Sequence, residues 1–254
     1  MNDSMRSRYI KTVPRFIRRP VSRSLAALRW IHRDDTFYSV TERAEFMRRA
    51  FMTLAYNGIV GDYAEFGCYG GMTFALAYRS SRRRKYNCKL WAFDSFCGLP
   101  PQSVPEDQHP IWREGKMKMS VSDFKETCAT KGIPETEYQV VPGFYKDTLT
   151  TKTANQPLPG EVALAYVDCD LYSSAQTVLE FLATRIQHGT IMAFDDYFCY
   201  SSTALAGERL AAAQFLKANP RFHFSPYWPF GAGGMSFIVE DKSLWKGGEC
   251  SLLR

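Results

Sequence analysis

The sequence predicts an α/β fold with an open, mostly parallel sheet, and three observations carry that reading. Short apolar runs recur and each ends in acid. Lys89–Phe93 (KLWAF) leads into Asp94, Val162–Val167 into Asp168-Cys169-Asp170, and Thr190–Phe194 into Asp195-Asp196. Runs of that length with no polar alternation read as strands covered on both faces. Helical patterns separate them, and a glycine-rich turn (Gly67, Gly70, Gly71) follows a first short strand at 63–66. Ligands of such sheets sit just past the carboxyl ends of the strands. The acids therefore stand where the chemistry is expected.

The 254 residues suffice for one large domain, and 45% hydrophobic content is ordinary for a globular protein. No apolar run approaches the roughly 20 residues of a membrane span. The net charge of +6 is unevenly placed. Residues 1–33 hold nine Lys/Arg against Asp3 alone, a local +8, which leaves −2 for residues 34–254. The charge is in the wrong place for a nucleic-acid channel. The arm is Arg- and Ser-rich, as transit peptides are, without the continuous apolar stretch of a secretory signal. Seven cysteines, an odd number with no C-x-x-C spacing, argue against a disulfide framework or a zinc site. Reduced thiols and a cytoplasmic location are the expectation.

Taken in order, residues 22–33 and 41–57 pattern as helices, with Thr41 a candidate cap. They suggest a segment 1–58 that caps the site or builds an oligomer contact, followed by a domain over 59–254. After the strand at 63–66, the glycine turn opens a helix from Met72 and permits close approach of a ligand. Asp94 ends the second strand, where an acid typically takes ribose hydroxyls. Residues 95–119 form a long proline-bearing loop, which reads as a lid, with His109 and Trp112 inside it. A helix at 121–130 and a strand at 138–141 precede a short turn at 143–149. Residues 173–187 read as a helix entered at Ser173 or Ser174, and 203–218 as another, stopped by Asn219-Pro220. Residues 221–225 and 235–240 read as a closing antiparallel hairpin, joined by YWPFGAGG, whose aromatics suit either sugar stacking or core packing.

If the strands ending at Val167 and Phe194 are neighbours, Asp168, Asp170, Asp195 and Asp196 crowd one rim. Carboxylates that close repel unless neutralised, and a hard divalent ion is the simplest resolution.

The blocks AEFGCYGG (64–71), AFDSFCGLP (92–100), GFYKDTL (143–149), YVDCDLYSSA (166–175) and FDDY (194–197) resemble, in collinear order, the macrocin O-methyltransferase family. These are bacterial sugar-hydroxyl methyltransferases that depend on S-adenosylmethionine. The resemblance implies a Rossmann-like class I methyltransferase fold with a seven-stranded, mostly parallel sheet and an antiparallel C-terminal hairpin. It implies that Glu65, Phe66, Gly67, Gly70 and Gly71 bracket the methionine part of the cofactor, while Asp94 and Ser95 meet the ribose. It also implies that Asp168, Asp195 and Asp196 bind Mg2+, with Asp170 beside them and Asp168 central to catalysis. His109 is the family-type candidate for general base, with Tyr145 and Lys146 as fallbacks. Leu171 stands where catechol-type relatives carry a basic lysine. The acceptor implied is a sugar hydroxyl on a glycosylated natural product or polysaccharide precursor, and a homo-oligomer is expected. The competing reading is a metal-dependent glycosyltransferase using Asp168-Cys169-Asp170. A nicotinamide dehydrogenase and a non-enzymatic scaffold fit the acid cluster less well.

Overall fold

The computed structural model describes residues 35–149, 157–199 and 205–245. The basic arm, the expected helix at 22–33 and Cys250 lie outside the described residues. The chain groups into two units, Met1–Thr41 and Glu42–Arg254. Of the first, only the opening residues of a helix are described.

That helix, α1, runs Asp35–Tyr56, so Thr41 lies inside it rather than at its cap. Then come β1 (Asp62–Phe66), α2 (Met72–Arg83), β2 (Leu90–Asp94), α3 (Val121–Thr130) and β3 (Tyr138–Pro142). A one-turn α4 (Tyr145–Thr148) precedes β4 (Val162–Val167), α5 (Tyr172–Leu182), β5 (Ile186–Phe194), α6 (Gly207–Ala218), β6 (Phe222–Phe230) and β7 (Gly234–Asp241). The sheet order is β3-β2-β1-β4-β5-β7-β6. β1 to β5 are parallel, while β7 runs antiparallel to both β5 and β6. Among the described residues no helix is long and apolar enough to cross a membrane.

Side chains alternate between two cores, as strand geometry requires. Tyr63, Ala92, Leu164, Tyr166 and Ile191 face the layer that holds Phe46, Phe51, Phe74 and Phe124. Ala64, Phe66, Phe93, Val167 and Phe194 face the opposite layer with Val178, Leu182 and Phe215. All six residues of β4 are buried, which explains its unbroken apolar run.

The helix expected from 203 begins at Gly207, and two other boundaries differ more from the sequence reading. The helix from 173 ends at Leu182 rather than 187, because Val162 pairs with Ile186 and the ladder then slips before Leu164 meets Ile191. Residues 187–190 fill that irregularity, with Gly189 at φ +90°. β6 extends through the aromatic stretch to Phe230, leaving only 231–233 as the turn. Pro226 and Pro229 are tolerated there because β6 is an edge strand with a register shift between Pro226 and Trp228.

The register does the most for function. Phe66 pairs with Phe93 on one side and Val167 on the other, and Val167 pairs with Phe194. The next residues along, Gly67, Asp94, Asp168 and Asp195, therefore stand level along one rim of the sheet.

Candidate active site

Gly67 is the tightest point of that rim. Its N–H donates to Phe93 O at 2.9 Å, and Asp168 N–H donates to Phe66 O at 2.8 Å. A Cβ on Gly67 would lie 1.8 Å from the Asp168 carbonyl oxygen, and its φ is +97°. The glycine is required by backbone approach as well as by conformation.

Asp94 is tied to the glycine turn. Its Oδ2 accepts from Cys68 N–H at 2.7 Å and its Oδ1 from Phe96 N–H at 2.7 Å. Burial still pushes its pKa up, against those hydrogen bonds. Ser95 turns its hydroxyl onto Gly98 O at 2.7 Å, closing the base of the lid.

Glu65 is fully buried. Its carboxylate accepts from the Tyr63 hydroxyl and, at 2.6 Å, from Thr73 Oγ1, which ties β1 to α2. Burial lifts its pKa to about 8, although both hydroxyls favour the charged form. The sign of the consequence follows. A raised carboxyl stabilises the fold below its unfolded pKa near 4.3, and that stability drains as pH rises through about 8. Melting temperature is expected to fall between pH 5 and 9 in the wild type by more than in Glu65→Gln, which mimics the protonated form. Parallel pH profiles would refute this.

Beyond Gly67 and Asp94 the rim is acidic. Asp168, Asp170, Asp195 and Asp196 all line one cavity of about 540 Å³. Burial and then the Asp195 and Asp196 charges hold the Asp168 pKa well above the carboxylate range. Asp170, at φ +60°, is pushed to about 9 by burial and by Asp196, with which it shares a hydrogen bond. Burial, then Asp195, raises Asp196 as well. Two carboxylates in mutual hydrogen-bond contact need a shared proton or a cation.

Asp195 has its own partner. Arg43 of α1 donates from Nε to Oδ1 at 2.8 Å and from Nη2 to Oδ2, and Tyr166 donates its hydroxyl to Oδ1. Glu208 of α6, fully buried, braces the two acid-bearing loops together. It accepts from Cys169 N–H at 3.1 Å and from Asp196 N–H at 3.0 Å. Among the described residues no group of three or more His, Cys, Asp or Glu is already arranged as a ligand shell. The donor chemistry nevertheless suits a hard cation, since the cavity offers four carboxylates, while burial pushes the pKa of the neighbouring Cys169 thiol up and keeps it from being a thiolate ligand.

The lid covers this rim. Leu99 and Lys116 pair at its base (Leu99 N–H to Lys116 O, 2.9 Å), and Leu99, Pro100, Pro101, Ser103, Ile111 and Trp112 line the cavity. Asp107 fastens it down. Its carboxylate accepts from Ser173 N–H and Ser173 Oγ, both at 2.8 Å, and so caps α5 immediately after the Asp168–Asp170 turn.

His109 is partly buried with its ring stacked on Trp112 at 3.9 Å, and burial lowers its pKa. Trp112 and Ile111 line the cavity, and His109 is not among the lining residues. Tyr145 and Lys146 are. Gly67, Asp94, Ser95, Asp168, Asp195 and Asp196 are thus brought to one cavity. Glu65, Phe66, Gly70 and Gly71 are not among its lining residues. The aromatics of 227–230 pack instead against α1. Phe230 stacks on Phe46 at 4.4 Å, Tyr227 Oη meets Thr53 Oγ1 at 2.8 Å, and Arg49 sits 4.1 Å over Trp228.

Arg43, Asp107 and Glu208 were not foreseen from sequence. Asp107 and Glu208 carried only the faint signal of an acid beside a turn or in a first helical turn.

Sheet order, glycine turn and acid-tipped strands define a Rossmann-like class I methyltransferase fold. The chain belongs to the macrocin O-methyltransferase (TylF) family, whose model matches residues 32–220. It is similar to 8-demethyl-8-(2,3-dimethoxy-alpha-L-rhamnosyl)-tetracenomycin-C 4'-O-methyltransferase of Streptomyces olivaceus, at 27% identity over 169 residues. It is also similar to demethyldecarbamoylnovobiocin O-methyltransferase of Streptomyces niveus, at 25% over 164 residues. Each match covers 61% of this chain and 60% of the relative's length. Among solved structures, the O-methyltransferase NovP superposes with a TM-score of 0.66 at 21% identity, covering 78% of this chain and 79% of that one. The calicheamicin methyltransferase CalS11 gives 0.65 at 20%, covering 91% and 89%.

Proposed function

We propose that this chain is an S-adenosylmethionine-dependent O-methyltransferase acting on a sugar hydroxyl, assisted by Mg2+. The observation that carries the reading is that Gly67 and Asp94 line the same cavity as Asp168, Asp170, Asp195 and Asp196. Family membership supports the activity. The names of its relatives, a methylated rhamnosyl tetracenomycin among them, support a sugar-bearing acceptor.

Gly67 offers bare backbone to the cofactor, and Asp94, held by Cys68 and Phe96, offers carboxylate oxygen to its ribose. Bound there, S-adenosylmethionine would supply an activated methyl group. Asp168, Asp195 and Asp196 would hold the Mg2+, which when bound lowers the pKa of a coordinated hydroxyl. The chain's own task is to orient the acceptor, exclude water and take its proton. Trp112 and Ile111 close the cavity from the lid side. Asp170 is the better placed proton acceptor once a cation held by its neighbours offsets the charge that keeps it protonated, because Asp170 lines the cavity and His109 does not. Asp170→Asn, which can keep the hydrogen bond to Asp196, is expected to lower kcat about 10²-fold or more. His109→Ala should cost less than a tenth of that. The reverse order would return the role to His109.

The test of the activity is calorimetric titration with S-adenosylhomocysteine, with Mg2+ and then with EDTA. Micromolar binding is expected. Absence of binding in both conditions, with affinity for a nucleotide-sugar instead, would replace the methyltransferase with a glycosyltransferase. Full methyl transfer in excess chelator would remove the metal.

A further inference from the structure

We propose that Arg43 is a positioning residue of the active site, orienting the Asp195 carboxylate for the divalent ion. The inference rests on the metal reading above and assigns α1 a part in it.

Arg43 and Asp195 lie 152 positions apart, yet they form a two-pronged ion pair with side chains only 14% and 8% exposed. Arg43 Nε also lies 3.2 Å from the Tyr166 hydroxyl, which itself donates to Asp195 Oδ1. The seat is built from four elements. Phe46, one turn further along α1, stacks on Phe230 of β6, and Tyr166 of β4 lies 5.7 Å from Phe230. The β6–β7 turn passes over the guanidinium at Gly231, where a Cβ would lie 3.0 Å from Arg43 Nη1. Any residue but glycine there would press on the arginine.

The pair does more than fasten a helix. Asp195 stands beside Asp196 on the cavity wall. A carboxylate has about four lone-pair directions, and a guanidinium fork with one hydroxyl occupies three of them in a fixed plane. The remaining direction is then set by the protein rather than by side-chain rotation. Partners behind a ligand are what orient it, and their loss commonly costs 10- to 100-fold in metal affinity. A lysine could keep the charge but not the fork.

The experiment is titration of Mn2+ into the full-length protein, followed by calorimetry and water-proton relaxation, for wild type, Arg43→Lys, Asp195→Asn and the double variant. Thermal melts accompany each. Arg43→Lys is expected to weaken Mn2+ about tenfold or more, with no further loss once Asp195→Asn is present. Tyr166→Phe, which removes one donor from Asp195 at nearly constant volume, should weaken Mn2+ in the same direction and stands in if Arg43→Lys fails to fold. Unchanged affinity in a folded Arg43→Lys or Tyr166→Phe would overturn the proposal. An equal loss from Arg43→Lys in the Asp195→Asn background would overturn it too, since Arg43 would then act on the fold and not through Asp195. No Mn2+ uptake by the wild type would instead remove the metal reading, and this inference with it.

Discussion

Replacing Asp168 by alanine is expected to lower the methyl-transfer rate about 10³-fold or more, corresponding to roughly 4 kcal/mol of lost transition-state stabilisation. Binding of S-adenosylhomocysteine should stay within a few-fold. The two effects separate because the backbone and side chain of Asp168 do different work. Its N–H is bonded to Phe66 O at 2.8 Å, so the rim keeps its shape without the carboxylate. The side chain lines the cavity and is crowded by Asp195, Asp196, Asp170 and Glu208, all of the same sign. Removing a carboxyl that can ionise only against burial and its neighbours' charges relieves that cost. The melting temperature in the absence of metal is therefore expected to hold or rise, the usual exchange of stability against function at a strained site. Steady-state rates with denaturation on the same preparation would decide it. A variant that keeps most of its rate would take Asp168 out of the chemistry. One that loses fold and rate together would make it structural.

Gly67→Ala should be the most damaging single-methyl change in the chain, destabilising it by more than about 4 kcal/mol or leaving it insoluble. The added Cβ would meet the Asp168 carbonyl oxygen at 1.8 Å and its carbon at 2.8 Å. Both are backbone atoms, so no rotamer change relieves the clash. The only escape is to part β1 from β4, which separates the cofactor wall from the acid wall. Gly70 is the control within the same turn. Nothing lies within 4 Å of its added Cβ, and only its φ of +74° opposes a side chain. Gly70→Ala should cost about 1–2 kcal/mol, the left-handed penalty alone. Chemical denaturation of the two variants measures the difference. Equal stabilities would mean that conformation, not the approach of β4, is what the first glycine serves.

Much of the fold was legible because it is written locally. Apolar runs marked the strands. The acids after Phe93, Val167 and Phe194 marked their carboxyl ends, and the glycines marked the first turn. Local signals failed where a distant partner decides. The helix after Ser173 stops at Leu182 because Ile186 is claimed by Val162 in the neighbouring strand. The aromatic run after Ser225 looked like a loop because of its prolines and glycines. It is strand, because an edge position leaves a proline without a ladder bond to break.

The site divides the same way. By itself the sequence determined which residue types stand at the sheet's rim, because a strand's end and the residue after it are local facts. Gly67, Asp94, Asp168, Asp195 and Asp196 were all named from it. Only the tertiary structure decided that β1 and β5 flank β4, which sets those residues in one row. Only it could show that Arg43 reaches Asp195 across 152 positions, that Asp107 caps a helix 66 positions on, and that Glu208 holds the backbone of Cys169 across 39. The physical reason is that a buried charge must find a partner somewhere in three dimensions. Burial guarantees that the partner exists, and chain spacing carries no mark of which residue it will be.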